Sequence, residues 1–265
     1  MRLSEILQVL GQMAPLDLAE GWDNVGLLMG DREQTIGSIM TCLTLTPDVA
    51  AEAIREGVSL IVSHHPVMFR PVQQLTRDST EGGVLLDLAG AGIAVYSAHT
   101  GYDSAPEGIN QQLAEALSLK GIHPLRAISE ADSGGVTSGS GRYGDLADVA
   151  ELGNLIDRIK QVLAIKHVQF IGRPDDPIQR LAIACGAAAE FLEDAITAGC
   201  DAFLTGEARF HDCLSARSRN VALILPGHYA TERPAMNRLA ENLARAFPKL
   251  RVWASLTESD PVQWS

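Results

Sequence analysis

The sequence alternates between short apolar runs and longer stretches in which apolar residues recur at helical spacing. The short runs are typical of buried strands, and the periodic stretches are typical of helices with one apolar face. In the first half, strands are predicted at residues 36–45, 58–63 and 93–98, and the helices that follow them at 47–56, 82–89 and 106–117. Strands that alternate with helices in this way predict a parallel sheet with right-handed crossovers.

The second half of the chain shows the same order of elements. Its strands are predicted at residues 179–185, 201–205 and 221–225, and its helices at 187–198, 208–218 and 231–246. In each half a helix (3–13 or 147–163) and a short strand (26–29 or 167–171) come first. We therefore predict an α/β fold of two α-β-(βα)3 repeats, residues 1–127 and 128–265, with mostly parallel sheets. A single doubly wound sheet is the alternative.

A Gly- and Ser-rich segment, residues 128–144, is predicted to connect the two halves. Within it, residues 139–144 spell the pattern G-x-G-x-x-G of dinucleotide-binding folds. No convincing strand precedes this pattern, and no suitable acidic residue lies about 20 residues later. We therefore interpret residues 139–144 as a turn.

Composition narrows the functional classes. With 21 basic and 33 acidic residues the chain has a net charge of −12 and no basic patch, which argues against nucleic acid as a partner. None of the four cysteines forms a Cys-x-x-Cys pair, which suits a reducing compartment. No apolar run reaches the roughly 18 residues of a membrane span, and no signal peptide is recognisable. These features predict a cytoplasmic protein with no membrane partner.

Four of the seven histidines occupy comparable places, each just after a predicted strand. They are His64, His65, His99 and His228. In open α/β sheets, ligands bind outside the carboxyl ends of the strands, so these side chains are expected to share one edge. Asp103 and Glu232 each lie four residues after a histidine, a spacing that puts both groups on one side of a helical turn.

Imidazole and carboxylate groups without thiolates suit Zn, Mn, Fe or Ni. Five or six such ligands exceed one tetrahedral site, and a carboxylate can bridge two ions roughly 3.5–4 Å apart. A hydrogen-bonded histidine cluster without metal is the alternative. Glu207 follows another strand and is either a supporting carboxylate or a general base, or only a carboxylate at a helix N-terminus. His123, His167 and His211 are interpreted as structural or surface residues.

These residues resemble the YbgI-like dinuclear metal proteins, also called GTP cyclohydrolase I type 2 homologues or NIF-three-like proteins. The matching stretches are Trp22-Asp23-Asn24-Val25-Gly26-Leu27-Leu28, Ser63-His64-His65-Pro66, Ala98-His99-Thr100 with Asp103, Gly141-Arg142, Thr205-Gly206, and Gly227-His228-Tyr229-Ala230-Thr231-Glu232. They span nearly the whole chain in the expected order. Gly101-Tyr102 stands where the family commonly shows Asn-Leu, and Ala187-Ala188-Ala189 where a Gly/Ser-rich turn is usual.

The resemblance implies two intertwined repeats with a dinuclear metal site between them, at the carboxyl ends of the strands. It implies the ligands His64, His65, Asp103, His228 and Glu232, and it makes His99 a neighbour of the ions rather than a ligand. It also implies a hexameric ring. The expected function is metal-dependent hydrolysis of a small polar substrate, with a nucleotide or a phosphoester as candidates. A non-catalytic metal-binding or regulatory scaffold is the alternative, and no catalytic residue is assigned.

Overall fold

A computed structural model describes residues 1–128 and 138–263, which form a mixed α/β fold. The helices are α1 Leu3–Met13, α2 Pro47–Arg55, α3 Thr80–Gly90, α4 His99–Ser104, α5 Ile109–Ala116, α6 Leu152–Leu163, α7 Leu192–Thr197, α8 Phe210–Ser218 and α9 His228–Ala246. The strands are β1 Gly26–Met29, β2 Ser38–Cys42, β3 Leu60–Ser63, β4 Ala94–Ser97, β5 Lys120–His123, β6 Arg126–Ala127, β7 Gly139–Ser140, β8 Arg142–Glu151, β9 Gln169–Ile171, β10 Pro177–Ala184, β11 Ala202–Thr205, β12 Ala222–Leu225 and β13 Arg251–Ala254. Across this part of the chain, no helix is both long and apolar enough to cross a membrane.

The chain packs as two compact units. Unit 1 comprises Met1–Tyr102 and Ala235–Pro261, and unit 2 comprises Asp103–Pro234 and the described residues after Pro261. The predicted division into repeats at residues 127 and 128 concerns the order of elements rather than these compact units. It stays a prediction.

Unit 1 contains a five-stranded sheet in the order β1-β4-β3-β2-β13. Strand β1 is antiparallel to β4, and the other neighbours are parallel. Met40, Ile61 and Val95 are adjacent across β2, β3 and β4, and they share one core with Val49 of α2 and Leu88 of α3. This burial of apolar side chains holds the two helices on one face of the sheet.

Unit 2 contains a six-stranded sheet in the order β5-β8-β10-β11-β12-β9. Strands β10, β11 and β12 are parallel, and β9 is antiparallel to β12. Ala182, Phe203 and Leu223 are adjacent across the three parallel strands and pack with Ala195 of α7 and Ala216 of α8. The order β9-β12-β11-β10 and its strand directions match β1-β4-β3-β2 of unit 1.

Two predictions were wrong around strand β8. The helix predicted from residue 147 begins only at Leu152, because the residues up to Glu151 belong to β8. The turn predicted at residues 139–144 is mostly strand, in β7 and β8, and Gly141 between them has a φ of 64°. The strand start was hidden by the fully buried Arg142, since a charged residue at a core position interrupts the apolar pattern. The helix starts late because residues up to Glu151 pair with strand β10. Residues 129–137 of the predicted connection lie outside the described part.

Strand β13 has no counterpart in the predicted pattern, and a buried carboxylate on α2 holds the residues that follow it. Glu52 is 1% exposed and accepts hydrogen bonds from Ser255 Oγ at 2.6 Å and from the backbone N–H groups of Leu256 and Thr257 at 3.0 and 3.1 Å. Burial by itself raises the pKa of Glu52, but these hydrogen bonds outweigh it and lower the pKa from 4.5 to about 2.

We expect Glu52→Ala to lower the free energy of unfolding by about 2–4 kcal/mol, because it leaves the buried Ser255 hydroxyl and the backbone N–H groups of Leu256 and Thr257 without their acceptor. Urea unfolding at pH 7 measures the change. Glu56→Gln is the matched control, since Glu56 forms an ion pair with Arg251 at 2.9 Å near the surface. Such a pair contributes at most about 1 kcal/mol. Equal losses in the two variants would contradict the role of Glu52.

Candidate metal centre

The parallel strands of unit 1 end in register. Cys42, Ser63 and Ser97 are adjacent at the ends of β2, β3 and β4. Backbone hydrogen bonds continue the ladder beyond the strands, from His64 N to Cys42 O at 2.9 Å and from His99 N to His64 O at 3.1 Å. The two histidines therefore leave the sheet at the same level of its carboxyl edge.

Three imidazole rings gather at this edge. His64 is fully buried, and His65 and His99 are half-buried. The ring centroid of His64 lies 5.1 Å from that of His65 and 5.1 Å from that of His99. One ligand nitrogen of each residue lies within 4.8 Å of the other two, so the three together could hold a metal ion.

His65 is oriented by a residue that the sequence analysis did not identify. Thr44 Oγ1 lies 2.8 Å from His65 Nδ1. The carboxylate of Glu258 accepts hydrogen bonds from the backbone N–H groups of Leu43 and Thr44, at 3.0 and 2.7 Å, and so fixes the loop that carries Thr44. A signal was available in the sequence, because Thr44 comes just after β2 and must lie at the same edge as the histidines.

His99 is held by the carboxylate of Asp23. His99 Nδ1 lies 2.8 Å from Asp23 Oδ1, and the backbone N–H of Thr100 donates to Oδ2 at 3.2 Å. Burial by itself raises the pKa of Asp23, but the hydrogen bonds from His99 and Thr100 outweigh it and lower the pKa from 3.8 to about 2. Asp23 is therefore ionised at neutral pH and accepts the Nδ1 proton of His99. These contacts maintain a φ of 21° at His99, a conformation that residues other than glycine rarely adopt.

In unit 2 the three parallel strands end in register as well. Backbone hydrogen bonds extend past them from Gly206 N to Gly186 O at 2.8 Å and from Gly227 N to Gly206 O at 3.0 Å. Glu207 and His228 are the next residues along the chain after Gly206 and Gly227. Both side chains therefore start from the carboxyl edge of this sheet.

His228 lies between two carboxylates. Its Nδ1 lies 2.8 Å from Glu207 Oε1, and its Nε2 lies 2.9 Å from Glu232 Oε2. Burial lowers the pKa of His228, but Glu232 and then Glu207 outweigh that effect and raise the pKa from 6.5 to about 9. The contact between His228 and Glu232 agrees with the predicted placement of these residues on one side of helix α9. The contact with Glu207 supports its interpretation as a supporting carboxylate.

Asp103 lies in the same part of unit 2 as Glu232. Burial raises the pKa of the Cys185 thiol well above its ordinary value, and the charges of Glu232 and Asp103 raise it further. Both carboxylates therefore act on one buried thiol. Gly186 follows Cys185 with a φ of 71°, and a Cβ at this position would overlap Glu232 Oε1.

The three histidines interpreted as structural or surface residues, His123, His167 and His211, are exposed. His211 is exposed on α8, where its ring contacts Phe210. His123 is exposed on β5 near Tyr143. His99 and Asp103 lie together on the short helix α4, as their spacing predicts.

A family model described as Duf34/NIF3 (NGG1p interacting factor 3) matches residues 1–261. The chain belongs to the Duf34/NIF3 family. The resemblance identified from the sequence motifs is confirmed, and relatives in the family agree with it. A GTP cyclohydrolase 1 type 2 homolog of Clostridium perfringens is 34% identical over 244 residues, covering 92% of this chain and 91% of the relative. NIF3-like protein 1 of Drosophila melanogaster is 32% identical over 266 residues, covering 98% of this chain and 88% of the relative.

Solved structures share the fold of this chain. The crystal structure of Staphylococcus aureus protein SA1388 has a TM-score of 0.89 and 28% sequence identity, covering 100% of this chain and 99% of that one. The structure of protein ybgI has a TM-score of 0.84 and 24% identity, covering 99% and 100%. The second likeness concerns the fold alone.

The Asp23 carboxylate is expected to stabilise unit 1. Asp23→Asn should lower the free energy of unfolding at pH 7 by about 1–3 kcal/mol, because His99 and Thr100 lose a charged acceptor. The pKa of Asp23 is lowered in the folded state from 3.8 to about 2, so its contribution is present above pH 3.8 and is lost as the pH falls toward 2. Urea unfolding at a series of pH values measures this effect. The free energies of unfolding of wild type and variant should converge as the pH falls from 3.8 toward 2.

Asp17→Asn is the control for this measurement, since Asp17 is an exposed residue in the turn Leu16–Leu18 of the same unit. It should change the free energy of unfolding by less than about 0.5 kcal/mol at every pH. An Asp23→Asn difference that is independent of pH would show that the charge of Asp23 is not what stabilises the fold.

Proposed function

We propose that this member of the Duf34/NIF3 family is a hydrolase that uses two divalent metal ions to cleave a small polar substrate. The proposed ligands are His64, His65, Asp103, His228 and Glu232. One observation carries the proposal: two of these ligands, His64 and His65, have ring nitrogens within 4.8 Å of each other and of a ring nitrogen of His99 at a sheet edge.

The donor groups fit such ions in their chemistry. Imidazole nitrogens and carboxylate oxygens bind Zn, Mn, Fe and Ni, and the chain places no thiolate among the proposed ligands. Thr44 orients His65 and Glu207 orients His228, as outer partners of metal ligands commonly do. A carboxylate and an imidazole already in contact, Glu232 and His228 at 2.9 Å, are a pair that one cation can bind together.

When bound, a pair of divalent ions supplies a water molecule that is deprotonated at neutral pH, and it stabilises negative charge on the substrate. The protein's own contribution is to orient the groups around that chemistry. His99 is the imidazole of the cluster outside the proposed ligand set, and Asp23 fixes its Nδ1 proton. We therefore assign His99 the role of holding or moving a proton on the substrate at its other nitrogen.

The substrate class follows in part from the relatives. Several of them are named GTP cyclohydrolase 1 type 2 homolog, which favours a nucleotide, and a phosphoester is the second candidate. We also propose that the two repeats of the chain are intertwined, that six chains form a ring, and that the protein is cytoplasmic. Because six acidic chains repel one another, such a ring would depend on apolar contacts and should persist as salt rises.

Metal content and turnover together test the function. Protein purified without chelator and reconstituted with Zn, Mn or Fe should hold two ions per chain, and it should hydrolyse a compound in a panel of nucleotides and phosphoesters. His64→Ala should lower both quantities, whereas His123→Ala, at an exposed histidine, should leave both unchanged. Occupancy that stays at one ion would contradict the dinuclear centre. Two ions without turnover would favour the non-catalytic scaffold.

A pair of glycine substitutions tests Glu232 as a ligand. Gly186 and Gly199 both have a φ of 71°, so alanine introduces the same backbone strain at either position. A Cβ at residue 186 would overlap Glu232 Oε1, whereas a Cβ at residue 199 would meet nothing within 4 Å. Gly186→Ala should therefore weaken metal binding roughly 10- to 100-fold relative to Gly199→Ala in a zinc titration. Equal affinities in the two variants would argue against Glu232 as a ligand.

A further inference from the structure

Two large aromatic side chains of unit 1 are exposed beside the histidine cluster. Trp22 is 64% exposed and Phe69 is 51% exposed, in a chain of which only 5% is aromatic. Aromatic rings are normally among the most buried side chains, since each carries a large apolar area. Exposed apolar groups that lie together commonly mark a binding surface.

Both rings contact the same histidine. The ring centroid of Trp22 lies 6.0 Å from that of His99 at an interplanar angle of 78°, and that of Phe69 lies 5.5 Å away at 82°. His99 in turn contacts His64 and His65, at 5.1 and 5.6 Å. Both rings meet His99 nearly perpendicularly and remain more than half exposed, so aromatic surface beside His99 is open to solvent.

The backbone on which the two rings are mounted is held in place. Trp22 precedes Asp23, whose side chain is buried against His99. The side-chain amide of Asn24 donates a hydrogen bond to the carbonyl oxygen of Met68 at 2.6 Å, and Phe69 is the next residue. Asp23 and Asn24 thus hold the backbone next to both rings. A ligand that binds to the rings therefore does not first have to order the loops that carry them.

We propose that Trp22 and Phe69 form the surface that binds a planar heteroaromatic ring of the substrate and direct its reacting part toward the histidine cluster. The inference rests on the proposed function, since it assigns a substrate class to the same centre. Any planar π-system can stack on an aromatic side chain, and each stacked base contributes about 1–3 kcal/mol of binding free energy. A sugar phosphate has no aromatic ring to stack, so this surface would select substrates with a heteroaromatic ring over simple phosphoesters.

Binding to chelator-treated protein tests the inference without any need for turnover. Inosine, uridine and flavin mononucleotides would each be titrated into the protein in a calorimeter. Ribose 5-phosphate, which lacks the heteroaromatic ring, would be titrated for comparison. We expect at least one mononucleotide to bind more tightly than ribose 5-phosphate. Trp22→Leu and Phe69→Leu should each weaken that binding roughly 5- to 100-fold and leave ribose 5-phosphate unaffected. Trp22→Phe should retain most of the affinity, because it keeps an aromatic face.

Leu75→Ala is the matched control, since Leu75 is an apolar residue of the same loop that is 45% exposed. It should bind all four ligands like the wild type. Mononucleotides that bind no tighter than ribose 5-phosphate, or leucine variants that bind like the wild type, would overturn the proposal. A molecular mass that falls in Trp22→Leu, measured by light scattering, would overturn it too, because the rings would then be a contact between copies of the chain. Since the protein is metal-free in this titration, its outcome is independent of whether metal occupancy and turnover support the hydrolase.

Discussion

The register of the parallel strands is the constraint on which the candidate centre depends. Strands β2, β3 and β4 end side by side at Cys42, Ser63 and Ser97, and the backbone ladder continues for one or two residues beyond. A shift of one residue would move every following side chain to the opposite face of the sheet. The histidines can meet only because apolar contacts on the helical face of the sheet, among Met40, Ile61 and Val95, fix this register.

His65, His99 and His228 are each oriented by a neighbouring side chain before any ligand binds. Asp23 holds His99, Glu207 holds His228, and Thr44 contacts His65. The supporting groups are themselves fixed, as when Glu258 binds the backbone N–H of Thr44. A ring whose orientation is fixed in advance loses less conformational entropy on binding an ion or a substrate. The same principle explains why buried or half-buried carboxylates occur here in spite of the cost of removing a charge from water.

Two features of the structure depart from the usual placement of polar side chains at the surface and apolar side chains in the core. Arg142 is fully buried and donates to the carbonyl oxygens of Gly139, Gly141 and Ala105 and to Gln111 Oε1. Burial lowers the pKa of its guanidinium to about 10, which still leaves it charged at neutral pH. At the other extreme, Trp22 and Phe69 remain in solvent, although burying them would stabilise the fold. Such departures from local preference are commonly found at functional sites.

The sequence by itself determined the alternation of strands and helices, the family, and the placement of His64, His65, His99 and His228 after strands. These features are local, because periodicity and short motifs are written in neighbouring residues. Only the tertiary structure decided which groups support the histidines. Asp23 contacts His99 from 76 positions away and Thr44 contacts His65 from 21. Strand β13 and the end of β8, where a helix was predicted, escaped prediction for the same reason. A strand joins a sheet because a partner edge and buried hydrogen-bond acceptors are available in space, and neither leaves a periodic pattern in the residues of the strand itself.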